Sequence, residues 1–296
     1  MLVSFPLCFG DDANPVRAAC YRYARQCLVE ACKQSSSVFV CLRSAEPVVS
    51  FEHLQRTLVH VYSTLAQSTN PECAVVVVDP SVGQERVLKE APWAALITAT
   101  SPCIGQRPER RWTSAALPAG YEEAFPHFRQ AVLVEPRLEH AVNGGTFDRL
   151  HNGHRVLLGA SAAVCSRSLT VGITSDAMIA HSSKSMKELV QPFAERRSAV
   201  AEFLSLCNPQ LEQVLRPIDD AFGPSIVDPR LQVIVVSEET ASGGNAVNAK
   251  RAEAQLSVLK VVQIDCWDRH GEGKGSIATK ISSTDARKKL KPKGSL

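Results

Sequence analysis

The segment 144–154, GGTFDRLHNGH, brings together residue types that suit phosphate chemistry. Gly144 and Gly145 let the backbone turn tightly and come close to a ligand, because neither has a Cβ atom. A helix that begins near Gly153 would direct its first N–H groups and the positive end of its dipole toward the same point. His151 and His154 are close enough in sequence for both to face a phosphate there. The segment therefore predicts a phosphate-binding site.

Other ligand classes fit this segment less well. An HxxH pair without an accompanying cysteine or carboxylate at metal-ligand spacing is a weak zinc signal. The dinucleotide pattern GxGxxG is missing, and GEGKGS (271–276) lacks both the spacing of a phosphate-binding Walker loop and a helix behind it. We therefore predict no metal-ligating residues, and we interpret 271–276 as a loop.

The segments around the motif alternate between strand and helix patterns. In open α/β sheets, ligands bind beyond the carboxyl ends of strands, and the strand-like run LEHAV directly precedes the motif. The predicted strands cover 138–142, 169–174, 214–218, 231–236 and 259–264, and the predicted helices cover 153–165, 186–207 and 245–256. This alternation predicts a Rossmann-like, doubly wound parallel sheet.

The alternating helix and strand patterns in residues 1–128 predict a smaller α/β domain. The sequence assigns no role to this domain. Helical patterns cover 15–33 and 51–65, and strand-like runs cover 38–42, 73–79 and 95–100. Residues 104–128 carry three prolines and clustered charges without a clean period, which predicts a linker. We therefore expect an N-terminal domain at 1–128 and a catalytic domain at 129–296, and we predict no internal repeat.

Composition narrows the partners and the compartment. The 33 basic and 30 acidic residues leave a net charge of +3, which is too small to indicate nucleic acid binding. Ten cysteines occur singly and without a CxxC pair, which favours reduced thiols over a disulfide framework. No apolar stretch approaches the ~20 residues of a membrane span, and the first residues do not resemble a signal peptide. A cytoplasmic protein without a membrane partner is predicted.

Two motifs together resemble the signatures of the nucleotidyltransferase superfamily. GGTFDRLHNGH resembles its (H/T)xGH motif, and ISSTDAR (281–287) resembles its ISSTxxR motif, in the expected order. Further segments are similar to eukaryotic-type phosphopantetheine adenylyltransferases: KSMKELVQPFAERR (184–197), RPIDDAFGPSIVDP (216–229) and VVSEETASGGNAVNAKR (235–251). The resemblance covers roughly residues 137–292 and does not include the N-terminal domain.

This resemblance implies adenylyl transfer in coenzyme A biosynthesis. AMP would pass from ATP to 4′-phosphopantetheine and give dephospho-coenzyme A and pyrophosphate, by in-line attack of the substrate phosphate on the α-phosphorus. Mg²⁺ would be bound mainly through the ATP phosphates. Because the nucleophile is already an anion, catalysis would come from positioning and charge stabilisation.

The resemblance also implies roles for individual residues. Thr146, Lys184 and His154 would be catalytic, since the first two would hold the substrate phosphate and His154 would stabilise the α-phosphate. Phe147 and Arg196 would also contact 4′-phosphopantetheine. The implied ATP-binding residues are Gly144, Gly145, His151, Gly153, His154, Glu239, Arg251, Ser282, Ser283, Thr284 and Arg287. These roles require the glycine turn and the late serine cluster to face one crevice.

Some assignments have alternatives in the sequence. Asp148 fits best as a cap of its own loop. A glutamate of the SEET segment fits equally well as a ribose ligand and as the end of a strand. Two choices between neighbours stay open: Lys184 or Lys187, and Arg196 or Arg197.

Two other functions are compatible with the shared signatures. One is a cytidylyltransferase acting on a phosphorylated small alcohol, although the SEET segment favours the adenylyltransferase. The other is a non-catalytic nucleotide-binding scaffold, against which the presence of Thr146, His154 and Lys184 argues. Turnover with CTP instead of ATP would indicate the first, and ATP binding without pyrophosphate release would indicate the second.

Overall fold

A computed structural model describes residues 2–6, 25–26, 28–29, 32–33, 38–43, 48–66, 74–77, 96–98, 133–135, 138–208, 210–264 and 283–288. The chain divides into two compact units. The N-terminal unit contains Met1–Arg137 and Leu206–Gln210, and the C-terminal unit contains Leu138–Ser205 and Leu211–Leu296. The predicted linker at 104–128 lies outside the described residues.

The N-terminal unit contains parallel strands and a long helix. Its described elements are β1 (Leu2–Pro6), β2 (Val38–Arg43), β3 (Val48–Ser50), α1 (Phe51–Ala66), β4 (Ala74–Val77), β5 (Leu96–Thr98) and β6 (Leu133–Glu135). Four of the strands form a parallel sheet in the order β4-β2-β1-β5, and β3 pairs in parallel with β6. The apolar stripe of α1, which includes Leu54, Leu58 and Leu65, is buried as its spacing predicts.

The C-terminal unit is a five-stranded parallel sheet with helices between its strands. Its strands are β7 (Leu138–Gly145), β8 (Cys165–Thr174), β9 (Glu212–Ile218), β10 (Val233–Ser237) and β11 (Lys260–Ile264). Its helices are α2 (Asn152–Val164), α3 (Asp176–Ala180), α4 (Phe193–Cys207), α5 (Ala241–Glu253) and α6 (Ser283–Lys288). The strand order is β11-β10-β7-β8-β9. The predicted Rossmann-like, doubly wound parallel sheet is confirmed.

The path of the chain through this sheet places a topological switch point between β7 and β10. The chain moves outward from β7 through β8 to β9, and then returns to add β10 and β11 on the other side of β7. The connections after β7 and β10 therefore leave in opposite directions, and this switch point is where such sheets bind ligands. The glycine turn lies at this edge.

The core explains why these segments are strands. β8 and β10 are buried along most of their length, because the connecting helices cover both faces of a parallel sheet. One buried cluster joins α5 to the sheet through Val142, Leu231, Ile234, Val236, Val247 and Leu259. α5 approaches the sheet closely at Gly244, where a Cβ atom would lie 3.0 Å from Val261 Cγ1. Among the described residues, no helix is long and apolar enough to cross a membrane.

The predicted helix at 186–207 is wrong in its first turns. A 3-10 turn at Lys187–Leu189 is followed by extended backbone, and α4 begins only at Phe193. Pro192 disfavours helical backbone in the residue before it and is suited to the start of a helix, which accounts for the later start. The residues before α4 therefore form an irregular loop at the carboxyl edge of the sheet.

The two units share a strand order that the sequence did not predict. The order β4-β2-β1-β5 in the N-terminal unit matches β9-β8-β7-β10 in the C-terminal unit, in direction and in succession along the chain. We predicted no internal repeat because no residue pattern recurs clearly. Strand order depends on the path of the crossover connections, and residue spacing does not encode that path.

Candidate functional site

The glycine turn is a tight loop between β7 and α2. Phe147 and Arg149 adopt left-handed backbone with φ of 52° and 46°, which reverses the chain within a few residues. Phe147 is fully buried, and its ring lies 3.2 Å from the position that a Cβ atom on Gly145 would occupy. The structure therefore places Phe147 beneath the turn as a support, and its predicted contact with 4′-phosphopantetheine stays a prediction.

The two histidines of the motif stack on each other at the start of α2. His151 is the N-cap residue and makes no side-chain capping bond, and its ring lies 3.8 Å from that of His154. Burial lowers the pKa of His154 well below 6.5, and His151, Lys184 and Arg155 lower it further by charge repulsion. His154 is therefore a neutral imidazole at neutral pH. Its Nδ1 atom is buried and has no hydrogen-bond partner among the described residues.

Neutral His154 makes stability depend on pH in a defined direction. The pKa of His154 in the folded protein lies below 6.5, so the unfolded chain takes up a proton at a higher pH than the folded chain does. We expect the free energy of unfolding to fall as pH drops below about 6.5, with the loss complete below the folded pKa. Urea unfolding from about pH 8 to pH 5 measures this. In the His154→Gln variant, the free energy of unfolding should change less with pH. If it changed with pH equally in the variant and the wild type, the lowered pKa of His154 would be contradicted.

Lys184 reaches the end of β7 from the irregular loop before α4. Its Nζ donates a hydrogen bond to Thr146 Oγ1, which lies 3.4 Å from Thr174 Oγ1. Lys187 instead donates to the carbonyl oxygens of Ala180 and Ser182 at 2.5 and 3.5 Å. The structure therefore places Lys184, and not Lys187, against Thr146.

Several cations converge near Lys184. Burial lowers the pKa of its ammonium, the charges of Arg287 and Arg196 lower it further, and Asp148 raises it. Although most of the Lys184 side chain is exposed, its charged end lies among these groups. A cluster of positive charge at the carboxyl edge of a parallel sheet attracts anionic ligands.

Arg196 is a buried support beneath the site. The side chain is 0% exposed, and its guanidinium donates to the carbonyl oxygens of Thr146, Thr174 and Gln191 at 2.7–2.8 Å. It also forms an ion pair with Asp176 at 2.7 Å. These bonds join the ends of β7 and β8 to the start of α4. Arg196 therefore positions Thr146, and a direct contact with the substrate stays a prediction.

Replacing Arg196 by methionine is expected to lower the free energy of unfolding by about 2–4 kcal/mol. The reason is that the backbone oxygens of Thr146, Thr174 and Gln191 lose their buried donor. The neighbouring Arg197 is exposed and provides a matched control. Arg197→Met should change stability by less than about 0.5 kcal/mol. Urea unfolding followed by circular dichroism measures both, and similar losses in the two variants would count against the supporting role.

The structure brings the second motif to the glycine turn. Ser283 Oγ donates to the backbone oxygen of Asp148 at 2.9 Å. Arg287 Nη1 lies 2.5 Å from Asp148 Oδ2, and Arg287 Nη2 donates to the backbone oxygen of Ser185 at 3.2 Å. The structure therefore brings Ser283 and Arg287 into contact with the glycine turn, and a crevice shared by the two motifs stays a prediction. Ser282 lies outside the described residues, and nothing is described of the Thr284 side chain.

The remaining residues that were predicted to contact ATP lie at opposite ends of the strands. Glu238 and Glu239 are exposed on a 3-10 turn after β10, beside the switch point. Arg251 is fully buried and donates to the carbonyl oxygens of Ser225, Asp228 and Ser257. α5 runs from the carboxyl end of β10 toward the amino end of β11, so its last turn lies away from the glycine turn. The structure thus does not bring Arg251 to the other predicted residues.

Sequence reasoning missed the importance of Asp148. Its side chain is 0% exposed and pairs with Arg287 and Arg149, so it does more than cap its own loop. The sequence did contain a signal for this role, because Asp148 is the single acidic residue in a motif that also holds an arginine and two histidines. Thr174 was also missed, although it ends the strand next to β7. Among the described residues, no three His, Cys, Asp or Glu side chains are placed to hold a metal ion.

The comparisons with known proteins agree with this geometry. Residues 142–289 match the family model described as cytidylyltransferase-like, and this range includes the glycine turn, the Lys184 loop and α6. The chain belongs to the cytidylyltransferase-like family.

Relatives within this family carry a more specific name. The chain is 38% identical over 152 residues to the phosphopantetheine adenylyltransferase of Saccharomyces cerevisiae, across 51% of this chain and 48% of the yeast protein. It is 38% identical over 125 residues to the enzyme of that name from Pyrobaculum aerophilum, across 42% of this chain and 78% of that protein. The chain thus spans about half the length of the yeast relative. The predicted resemblance to phosphopantetheine adenylyltransferases is confirmed.

Proposed function

We propose that the C-terminal unit transfers the adenylyl group of ATP to 4′-phosphopantetheine, forming dephospho-coenzyme A and pyrophosphate in coenzyme A biosynthesis. The names of the relatives from yeast and Pyrobaculum support this reaction. The observation that carries it is the hydrogen bond from Lys184 to Thr146 at the end of β7, beside neutral His154. An ammonium and a hydroxyl next to a neutral imidazole suit an anionic nucleophile that attacks a phosphate.

The proposed mechanism depends on positioning and charge. The phosphate of 4′-phosphopantetheine is already an anion, so no side chain needs to remove a proton from it. Lys184 and Thr146 would hold this phosphate in line with the α-phosphorus of ATP, and His154 would donate a hydrogen bond to the α-phosphate as negative charge develops there. Ser283 and Arg287 would bind the β- and γ-phosphates and stabilise the leaving pyrophosphate. No covalent enzyme intermediate forms.

Further parts of the proposal concern the surroundings of the reaction. Mg²⁺ would accompany ATP, held mainly by phosphate oxygens and water, and would neutralise charge on the triphosphate. Glu239 at the switch point is a candidate for the ribose. We place the reaction in the cytoplasm, where the buried thiols of Cys32, Cys165 and Cys207 would stay reduced.

The test is pyrophosphate release by the full chain with ATP, Mg²⁺ and 4′-phosphopantetheine, with mass detection of dephospho-coenzyme A. We expect release only when both substrates are present, and little turnover when CTP replaces ATP. Turnover with CTP alone would favour a cytidylyltransferase. ATP binding without any product would favour a non-catalytic scaffold.

A further inference from the structure

The Asp148 carboxylate is the meeting point of segments that are far apart along the chain. Its Oδ2 atom lies 2.5 Å from Arg287 Nη1, while Oδ1 accepts hydrogen bonds from Arg149 Nη1 at 2.9 Å and from the backbone N–H of Gln191 at 3.0 Å. Its backbone oxygen accepts the hydroxyl of Ser283. A residue that only capped its own loop would bond within that loop, and most of these partners lie outside it.

The same network holds the loop that carries Lys184. The guanidinium of Arg149 donates to the backbone oxygen of Leu189 at 2.7 Å, and the backbone N–H of Arg149 donates to Gln191 Oε1 at 2.7 Å. The arginine of α6 donates to the backbone oxygen of Ser185, the residue next to Lys184. The loop is therefore attached to the glycine turn and to α6 at several points, and Asp148 bonds directly to the donors at both attachments.

Charge gives the network a second role. Asp148 is the carboxylate that offsets Arg287, Arg149 and the ammonium of Lys184 in this part of the site. Removing one partner of a buried ion pair leaves the other charge without compensation, which is costly. Without the carboxylate, the arginines would repel Lys184, and α6 would lose a main attachment to the turn.

We propose that Asp148 is a positioning residue, whose buried carboxylate holds α6 and the Lys184 loop against the glycine turn so that Lys184 stays on Thr146. This inference rests on the proposed function for its kinetic consequence, because the reaction affected is adenylyl transfer. Its structural consequence, the attachment of the two segments, does not depend on which reaction the site performs.

The experiment compares Asp148→Asn, Arg287→Gln and the double variant with the full-length wild type. Asparagine keeps the size of the side chain and removes its charge. Hydrogen–deuterium exchange of peptides covering 184–191 and 283–288 is the first readout, and it needs no turnover. We expect faster exchange in both peptides for each single variant. The double variant should show little additional change, because either single substitution already removes the pair between Asp148 and Arg287.

Kinetics provide the second readout. We expect Asp148→Asn to lower kcat about tenfold and to raise the KM for 4′-phosphopantetheine more than the KM for ATP. Asp228→Asn is the matched control, because it removes the carboxylate of a partly exposed pair with Arg230 in the same unit. That variant should retain wild-type activity and wild-type exchange in both peptides.

The outcomes separate the two proposals. If the wild type shows no adenylyl transfer, the proposed function fails while the exchange data still decide the role of Asp148. If Asp148→Asn does not fold, Arg287→Gln is the decisive variant, because it removes the other side of the pair. Unchanged exchange in 184–191 and 283–288 for the folded variants would overturn the inference.

Discussion

His154→Ala is expected to slow adenylyl transfer at least roughly a hundredfold while the affinity for ATP changes modestly. The imidazole is neutral, half-buried and at the start of α2, so it can donate a hydrogen bond to a phosphate oxygen without carrying a charge into the ground state. A bond of this kind strengthens as negative charge accumulates on the α-phosphate in the transition state. The loss should therefore appear in kcat more than in binding.

The measurement is pyrophosphate release under saturating substrates, with ATP affinity determined separately by calorimetry. His140→Ala is a suitable control, because that histidine lies near the start of β7, at the other edge of the sheet, and contacts Ser168. The control should keep nearly all of its turnover. If His154→Ala lost ATP affinity in proportion to kcat, the residue would bind the ground state and the transition state equally, and the proposed role would be wrong.

Lys184→Met should lower kcat/KM for 4′-phosphopantetheine by a hundredfold or more, which corresponds to about 3 kcal/mol of lost transition-state stabilisation. Methionine keeps much of the length of the side chain and removes the ammonium that contacts Thr146. The substrate phosphate would then lose its closest cation and its alignment with the α-phosphorus. We expect the effect on ATP affinity to be several times smaller, because Ser283 and Arg287 hold the other phosphates in the proposed mechanism.

Lys187→Met distinguishes this effect from a general loss of positive charge. Lys187 lies in the same loop, and its ammonium bonds to the backbone carbonyl oxygens of Ala180 and Ser182 instead of to Thr146. Steady-state kinetics with each substrate varied in turn would compare the two variants. A loss for Lys187→Met as large as that for Lys184→Met would show that the charge of the loop matters and that its placement on Thr146 does not.

Local patterns were enough to predict the sheet and the position of the glycine turn after one of its strands. The runs that became β8, β10 and β11 are apolar enough to be buried strands, and the glycine turn follows a strand as expected. Thr146, Lys184 and His154 were predicted from the resemblance to nucleotidyltransferases, and the structure brings them to one edge of the sheet. The start of α4 was missed because the apolar spacing continues through Pro192 into the loop.

The buried arginines show what residue types alone could not predict. The family resemblance implied that Arg196 and Arg251 contact anionic ligands, and arginine is mostly an exposed residue. In the structure both donate to backbone carbonyl oxygens in the interior. Which carbonyls lack a partner depends on how distant strands and loops meet, and sequence spacing does not contain that information. The same reason concealed the pair between Asp148 and Arg287.

The ion pair between Asp148 and Arg287 spans 139 positions, and this has a consequence for how the protein is made. A ribosome adds about 5–20 residues per second, so roughly 7–28 s pass between the two syntheses. During that interval the Asp148 carboxylate can pair with Arg149 but not with Arg287, so the charge of the buried carboxylate is only partly compensated. We therefore expect α6 to dock on the glycine turn late, after the five-stranded sheet has formed.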